Sequence, residues 1–273
     1  MAARLWPGRA LHRARHFETD KRLADELKAL EQKRSTFIAT VSHELRTPLT
    51  SIAGYTEILA DAEAGPLTPK QQQMLDAISR NTARLRNLIE DLLTLSEIES
   101  GAFRTAMHPL KLADIITLAV TAFKPRATAA GLTLASTFLG HDVVVNGDPG
   151  QLDRLLTNLL SNAVKFTPRG GHVEVTADAC DGAALITITD TGIGIPRGEE
   201  PLVRAPFFRA TNAVKQAIPG TGLGLAIANT IALNHGGGVT IESREGHGTT
   251  ITVRIPQLPA GPGASSGDEH ARV

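Results

Sequence analysis

The sequence predicts an α+β protein in two parts, a long helical hairpin followed by a region in which strands and helices alternate. The hairpin is indicated by apolar residues at heptad spacing from Leu23 to Val41 and by a second apolar stripe from Met74 to Ile98. The mixed region is indicated by short alternating apolar runs between turns after Leu110. A chain of 273 residues has room for both parts as separate domains.

The composition limits the function classes. The chain has 28 basic and 28 acidic residues, so its formal net charge is +0 and we expect no direct nucleic-acid partner. A single cysteine, Cys180, excludes an internal disulfide and fits a reducing, cytoplasmic location. No run approaches the ~18 apolar residues of a membrane span. Membrane association is therefore expected only through a sensor region beyond this chain.

The pattern predicts four segments. They are a basic N-terminal linker at 1–19, the helical hairpin at 20–100, the mixed domain at 110–256 and a disordered tail at 257–273. A second linker is predicted at 101–109. Within the hairpin, Thr68-Pro69 is typical of an N-cap followed by proline in the first helical turn.

A hairpin of this length leaves much of its apolar stripe exposed. Two copies would bury the stripe in a four-helix bundle, so the sequence favours a homodimer through the hairpin. The alternative is a hairpin that packs on its own second domain.

Three motifs of the mixed domain carry polar or glycine residues at spacings that suit a phosphate ligand. Asn158 and Asn162 share a helix face, and neutral amide oxygens there suit a hard cation. Asp190 ends a strand and opens the turn DTGIGIP, where its carboxylate can accept a hydrogen bond from an adenine amino group. GTGLGLAI opens a helix with three glycines, which leaves backbone N–H groups for a phosphate. Taken singly, each also fits a solvated helix face or a plain turn.

The order of these motifs, with GHGTT before the last strand, resembles the GHKL ATP-binding domain shared by histidine kinases, Hsp90, MutL and gyrase B. The resemblance covers roughly Leu110 to Ile255 and implies an α/β sandwich that binds ATP and Mg²⁺ beneath a mobile lid. It implies that Asp190 contacts adenine and that Asn158 and Asn162 serve Mg²⁺ and phosphate. The full set of implied nucleotide-binding residues is Asn158, Asn162, Lys165, Phe166, Asp190, Gly192, Gly194, Ile195, Arg209, Gly220, Thr221, Gly222, Leu223, Gly224, Leu225 and Thr249.

The first part contains FIATVSHELRTPLTSI, with His43 followed by Glu44, Thr47 and Pro48. An imidazole that attacks phosphorus must lose a proton, and Glu44 is placed to accept it or to orient the ring. Pro48 predicts a bend inside the helix. The segment resembles the H-box of the dimerisation and phosphotransfer domain of sensor histidine kinases.

Together the two resemblances imply a protein-histidine kinase. Such an enzyme phosphorylates its own His43 with Mg·ATP and passes the phosphoryl group to an aspartate of a response-regulator receiver domain. Glu44 and Thr47 match the pattern with which related kinases also dephosphorylate the regulator. Two alternatives remain: a non-kinase GHKL ATPase, which predicts a glutamate in the Asn helix that this chain lacks, and a degenerate kinase that only docks a regulator.

Overall fold

The structure is a computed structural model that describes residues 38, 40–42, 44–61, 65–99, 106–139 and 143–258. The chain divides into two compact units, residues 1–103 and 104–273. The predicted linker at 1–19, most of the heptad seam and His43 lie outside the described residues, as does the tail after residue 258.

The first unit contains two long helices. Helix α1 is described over residues 44–60 and at 38 and 40–42, and α2 spans Pro69–Glu99. A reciprocal cap starts α2: the Gln71 N–H donates to Thr68 Oγ1 at 3.3 Å, and the Thr68 N–H donates to Gln71 Oε1 at 2.8 Å. This capping box satisfies two backbone donors and confirms the helix start predicted from Thr68-Pro69.

The two helices pack through a small apolar cluster and leave other apolar side chains in solvent. Leu49 of α1 lies against Ile89 and Leu93 of α2, and all three are buried. Large apolar side chains on both helices are more than a third exposed: Leu45, Ile52, Tyr55, Ile58, Leu59, Met74, Ile78 and Leu85. Within unit 1 the hairpin therefore buries only part of its apolar surface.

The second unit alternates strands and helices. Its elements are β1 His108–Lys111, α3 Leu112–Ala130, β2 Thr133–Phe138, β3 Val144–Gly147, α4 Pro149–Phe166, β4 His172–Cys180, β5 Ala183–Asp190, α5 Thr211–Lys215, α6 Gly224–Asn234, β6 Gly238–Arg244 and β7 Gly248–Pro256. Helix α4 carries the two asparagines of the sequence motif, and α6 begins within the glycine motif, at Gly224.

Five strands form a mixed sheet in the order β2-β4-β5-β7-β6, in which only β2 and β4 are parallel. β1 and β3 form a separate antiparallel pair. Along β4 and β5, buried residues such as Val175 and Ile188 alternate with less buried ones. Threonines line the other face, where Thr187 faces Thr252 and Thr189 faces Thr250 across the strands at 3.3 Å. One polar face and one apolar face make a two-layer α/β sandwich.

Helix α4 supplies the central apolar face of this sandwich. Its inner side carries five fully buried leucines: Leu152, Leu155, Leu156, Leu159 and Leu160. It also contacts α3 and α6 on either side. The opposite side of α4 is left for polar residues, and this division positions the site described below.

Two short stretches differ from the sequence prediction. His108 and Pro109, predicted to belong to a linker, already pair with β3 in β1. Gln257 and Leu258, predicted to begin a disordered tail, bond to the backbone of Gly182 and Val144 at 3.0 and 2.8 Å. Such four-residue strands and single bridges have too little periodicity to be seen in a sequence. None of the helices in the described ranges has the length and apolarity to cross a bilayer.

Asp148 fixes the start of α4. Its carboxylate accepts the Gln151 N–H at 3.0 Å as an N-cap and the Ala106 N–H at 2.9 Å. Burial alone would raise the pKa of Asp148, but the N–H donors of Gln151, Ala106 and Gly150 together lower it. Asp148 is thus the N-cap of α4, and Pro149 occupies the first turn of the helix.

We expect Asp148→Ala to lower the free energy of unfolding at pH 7 by about 1 kcal/mol, because the N-cap bond is lost. Since the folded-state pKa is depressed, this contribution is present above about pH 4. It disappears as the pH falls through the lowered pKa, so wild type and variant should converge in acid. Urea denaturation in a series of buffers from pH 7 downwards measures both effects. Asp153→Ala, an exposed change on the same helix, is the control and should change stability by less than about 0.5 kcal/mol.

Candidate active site

The polar side of α4 gathers the amide and ammonium groups of the site. Asn158, Asn162 and Lys165 follow one another at helical spacing, and Lys165 Nζ lies 3.4 Å from Asn162 Oδ1. The Asn158 Nδ2 atom is buried and has no hydrogen-bond partner among the described residues. Buried amide nitrogens are nearly always bonded, so this atom marks a place where a ligand is expected.

The helix N-terminus of α6 lies against this face. A Cβ added to Gly224 would stand 3.3 Å from Asn158 Oδ1, and one added to Gly220 would stand 2.9 Å from Lys165 Nζ. The Leu223 N–H is capped by Thr221 Oγ1 at 3.1 Å, and the Leu223 side chain is fully buried. The glycine motif GTGLGLAI and the Asn helix are thus adjacent in the fold.

Lys165 is a partly buried cation beside a second cation. Burial, and then repulsion from Arg209, lowers its pKa to about 8. Its ammonium stands 4.1 Å from the centre of the Phe166 ring, and the Arg209 guanidinium donates to the Ile218 carbonyl. Two neighbouring cations, of which Lys165 has its pKa lowered by the other, favour an anionic ligand between them.

Asp190 is the last residue of β5 and directly precedes the turn that contains Gly192 and Gly194. Its Oδ1 accepts the Gly192 N–H at 2.8 Å, and its strand partner on β7 is Thr249. Burial raises the pKa of Asp190 to about 6, although the N–H groups of Gly192 and Thr249 act in the opposite direction. The group is therefore ionised at neutral pH and becomes protonated below about pH 6. As a buried carboxylate it can accept one more hydrogen bond from a ligand.

The glycines of this region are required by close backbone packing. A Cβ on Gly192 would stand 2.6 Å from the Phe166 carbonyl oxygen, and one on Gly194 would stand 2.1 Å from the Arg244 carbonyl oxygen. Gly194 also has a positive φ of 63°. Gly222 packs in the same way, 2.6 Å from the Phe208 carbonyl oxygen. The glycines of these turns therefore let backbone segments pack directly against one another, and beside them Ile195 donates its N–H to Ser243 Oγ at 2.9 Å.

The structure brings the predicted residues of the second unit into one region, from Asn158 to Thr249. Glu44 and Thr47 belong to the first unit, where both are exposed on α1. The sequence analysis missed Glu199, Asn212 and Ser243, which bond to the loops around this region. Asn212 and Glu199 lie in a segment without periodicity, and Ser243 follows the ordinary alternation of a strand, so no sequence signal marked them.

Comparisons with known proteins show the family of the chain. Residues 147–259 match the model of the "Histidine kinase-, DNA gyrase B-, and HSP90-like ATPase" family, and residues 33–101 match the "His Kinase A (phospho-acceptor) domain". The chain is 37% identical over 235 residues to the histidine protein kinase DivJ of Caulobacter vibrioides, which covers 86% of this chain and 39% of DivJ. It is also 37% identical over 248 residues to the circadian input-output histidine kinase CikA of Synechococcus elongatus, covering 89% of this chain and 33% of CikA.

Solved structures point to the same class. Full-length ShkA in complex with AMPPNP has a TM-score of 0.69 at 28% identity, over 82% of this chain and 46% of that chain. The mycobacterial sensor histidine kinase MprB is 32% identical with a TM-score of 0.50, over 57% of this chain and 100% of that chain. The chain belongs to the sensor histidine kinases of two-component systems, and the predicted fold class is confirmed. It spans less than half the length of the curated relatives named above.

The close approach at Gly194 yields a test with a matched control. Gly194→Ala introduces both a positive-φ alanine and a clash with the Arg244 carbonyl, whereas Gly198→Ala introduces only the positive φ, since nothing lies within 4 Å of its Cβ. We expect Gly198→Ala to cost about 1 kcal/mol and Gly194→Ala clearly more, with loss of nucleotide binding. Thermal denaturation and nucleotide titration measure the two effects. Equal losses in both variants would show that packing against Arg244 is not the constraint.

Proposed function

We propose that this chain is the kinase core of a sensor histidine kinase, which phosphorylates His43 with Mg·ATP and passes the phosphoryl group to a response-regulator aspartate. The observation that carries the proposal is the convergence of a buried carboxylate, two amides, two cations and a glycine-opened helix in the second unit. Adenine, cation and phosphate each have a matching group among them. The match to the phospho-acceptor family over residues 33–101 supplies the acceptor.

Asp190 would hold the adenine. Its buried carboxylate already interacts with the backbone N–H groups of Gly192 and Thr249, and the raised pKa of about 6 reflects a carboxylate that water does not solvate well. An exocyclic amino group would donate to that carboxylate. Gly192, Gly194, Ile195 and Thr249 surround the same turn and would form the base pocket with it.

Lys165 and Arg209 would bind the phosphates. Both are cations that lie near the glycine segment Gly220–Gly224, where backbone N–H groups at the start of α6 add to the positive potential. The Phe166 ring makes a cation–π contact with the Lys165 ammonium. Thr221, Gly222, Leu223 and Leu225 would keep the segment in place as the phosphates bind.

The amide oxygens of Asn158 and Asn162 fit Mg²⁺ as hard, neutral ligands. The bound cation would neutralise phosphate charge, and the triphosphate would supply the negative charge that two amides lack. Asn162 Oδ1 faces Lys165, and Asn158 Oδ1 faces the start of α6, so both oxygens point to where the phosphates are proposed to lie.

His43 would be the nucleophile, and Glu44, exposed beside it in sequence, would take up its proton or orient the ring. Thr47 is exposed on the same helix, and with Glu44 it would position water for dephosphorylation of the regulator. The apolar side chains left exposed on α1 and α2 would be buried by a second hairpin, which supports a homodimer through the hairpin.

The proposal is tested with γ-labelled ATP and Mg²⁺. We expect acid-labile, base-stable label on the wild-type chain and none on His43→Gln. His108→Gln, a change at an exposed histidine of β1, should label normally. Label that persists in His43→Gln would refute the acceptor assignment. Normal ATP binding without any label on wild type would favour a core that only docks its regulator.

The lowered pKa of Lys165 predicts that ATP binding takes up protons. A phosphate beside the ammonium raises its pKa from about 8, so at pH 8 we expect roughly half a proton to be bound per ATP. Uptake should decline towards pH 7, where the lysine is already charged. Calorimetric titration in buffers of different ionisation enthalpy measures the proton count.

Lys165→Met is the control for this measurement, because it keeps a long apolar stem and removes the titrating group. We expect the variant to bind ATP more weakly and without uptake at pH 8. Equal uptake by wild type and variant would show that another group titrates.

A further inference from the structure

The turn after β5, here called the adenine loop (residues 190–195), is fixed from three directions. The Ile193 N–H donates to the Phe166 carbonyl at 3.1 Å, and the Ile193 carbonyl accepts the Gly246 N–H at 2.8 Å. Ser243 accepts the Ile195 N–H from the β6 side. These contacts join the loop to α4 and to the β6–β7 turn, and both of those partners belong to the sandwich itself.

The third direction is a single buried amide, that of Asn212 on α5. Its Nδ2 lies 2.9 Å from the Gly194 carbonyl oxygen and 3.4 Å from the Ile193 carbonyl oxygen. Its Oδ1 accepts the Ala213 N–H at 2.8 Å. Carbonyl oxygens only accept and the N–H only donates, so this orientation of the amide is the one that satisfies all three contacts. The side chain is 7% exposed, so water does not replace these bonds.

Helix α5 is itself part of the segment between the adenine loop and the glycine motif, here called the lid segment (residues 196–222). Glu199 closes this segment on itself, because its carboxylate accepts both the N–H and the hydroxyl of Thr211 at 2.9 and 2.7 Å. Thr211 and Asn212 are adjacent in sequence. The Glu199–Thr211 hydrogen bonds therefore connect two parts of the lid segment, and Asn212 connects the lid segment to the adenine loop.

We propose that Asn212 is a positioning residue that holds the Ile193 and Gly194 carbonyls in place and so couples the shape of the adenine pocket to the lid segment. The inference rests on the proposed role of the adenine loop in binding ATP. Asn212 touches neither the base nor the phosphates in this scheme. It acts through the loop, so its loss should impair recognition of adenine more than the phosphate contacts made by Lys165 and Arg209.

The test compares Asn212→Ala and Asn212→Asp in the whole chain. Affinities for ATP and GTP are measured by competition against a fluorescent ADP analogue. We expect Asn212→Ala to weaken ATP roughly tenfold with little change for GTP, as for loss of a buried hydrogen bond. Asn212→Asp should be worse, because its carboxylate would face two carbonyl oxygens without a donor. The ratio of ATP to GTP affinity falls in both variants.

Thr230→Val is the matched control, since it removes one partly buried hydrogen bond, from the Thr230 hydroxyl to the Ala226 carbonyl within α6. We expect it to lower Tm without a change in the affinity ratio. A ratio unchanged in both Asn212 variants, with wild type binding ATP normally, would overturn this inference alone. A wild-type chain that binds no ATP would overturn the proposed function and this inference with it. Should Asn212→Asp fail to fold, Asn212→Ala decides the matter.

Discussion

The site depends on backbone segments that approach each other more closely than any side chain allows. Gly192 lies against the end of α4, and Gly194 lies against the β6–β7 turn. Gly248 completes the set, since a Cβ there would stand 1.9 Å from the Asp190 carbonyl oxygen. The Gly192 contact holds the end of β5 against the end of α4, and the Gly194 and Gly248 contacts hold it against the β6–β7 turn. The Asp190 carboxylate at the end of β5 is thereby fixed relative to α4, which carries Asn158.

Two charged groups of the site are less stable in their ionised forms than they would be in water, and a bound ligand of opposite charge or matching hydrogen bonds would stabilise them. Asp190 has its pKa raised to about 6 by burial, and Lys165 has its pKa lowered to about 8 by burial and by Arg209. Each group is thus less stable in its charged form than it would be in water. The fold supplies the compensating energy elsewhere, in the fully buried leucines of α4 and the apolar face of the sheet. Such shifted pKa values are typical of functional sites, where a bound ligand supplies the interactions with charged groups that water provides in solution.

Much of this arrangement is predictable from the sequence, for physical reasons that can be named. The Asn158–Asn162 spacing gives one helix face because the helical period is fixed, and Asp148-Pro149 marks a helix start because few residues can cap one. The order of the glycine motifs predicted the class of domain. Asn212 was not predictable, because its partners are carbonyls about 18 residues away in sequence, and only the fold brings them together. The strand β1 was not predicted for a similar reason, since its four residues pair with β3 some 35 residues later.

The two units differ in how much of a core they contain. The second unit has a large core between its sheet and helices, with fully buried side chains such as Leu159 and Ile227, although Leu118 and Phe207 remain 68% and 60% exposed. The hairpin of the first unit buries Leu49, Ile89 and Leu93 but leaves Tyr55 70% exposed and Met74 55% exposed. A helix pair with so much apolar surface gains stability from any partner that covers it. In the proposed kinase that partner would be a second hairpin, whereas the proposed ATP site is built from residues of the second unit alone.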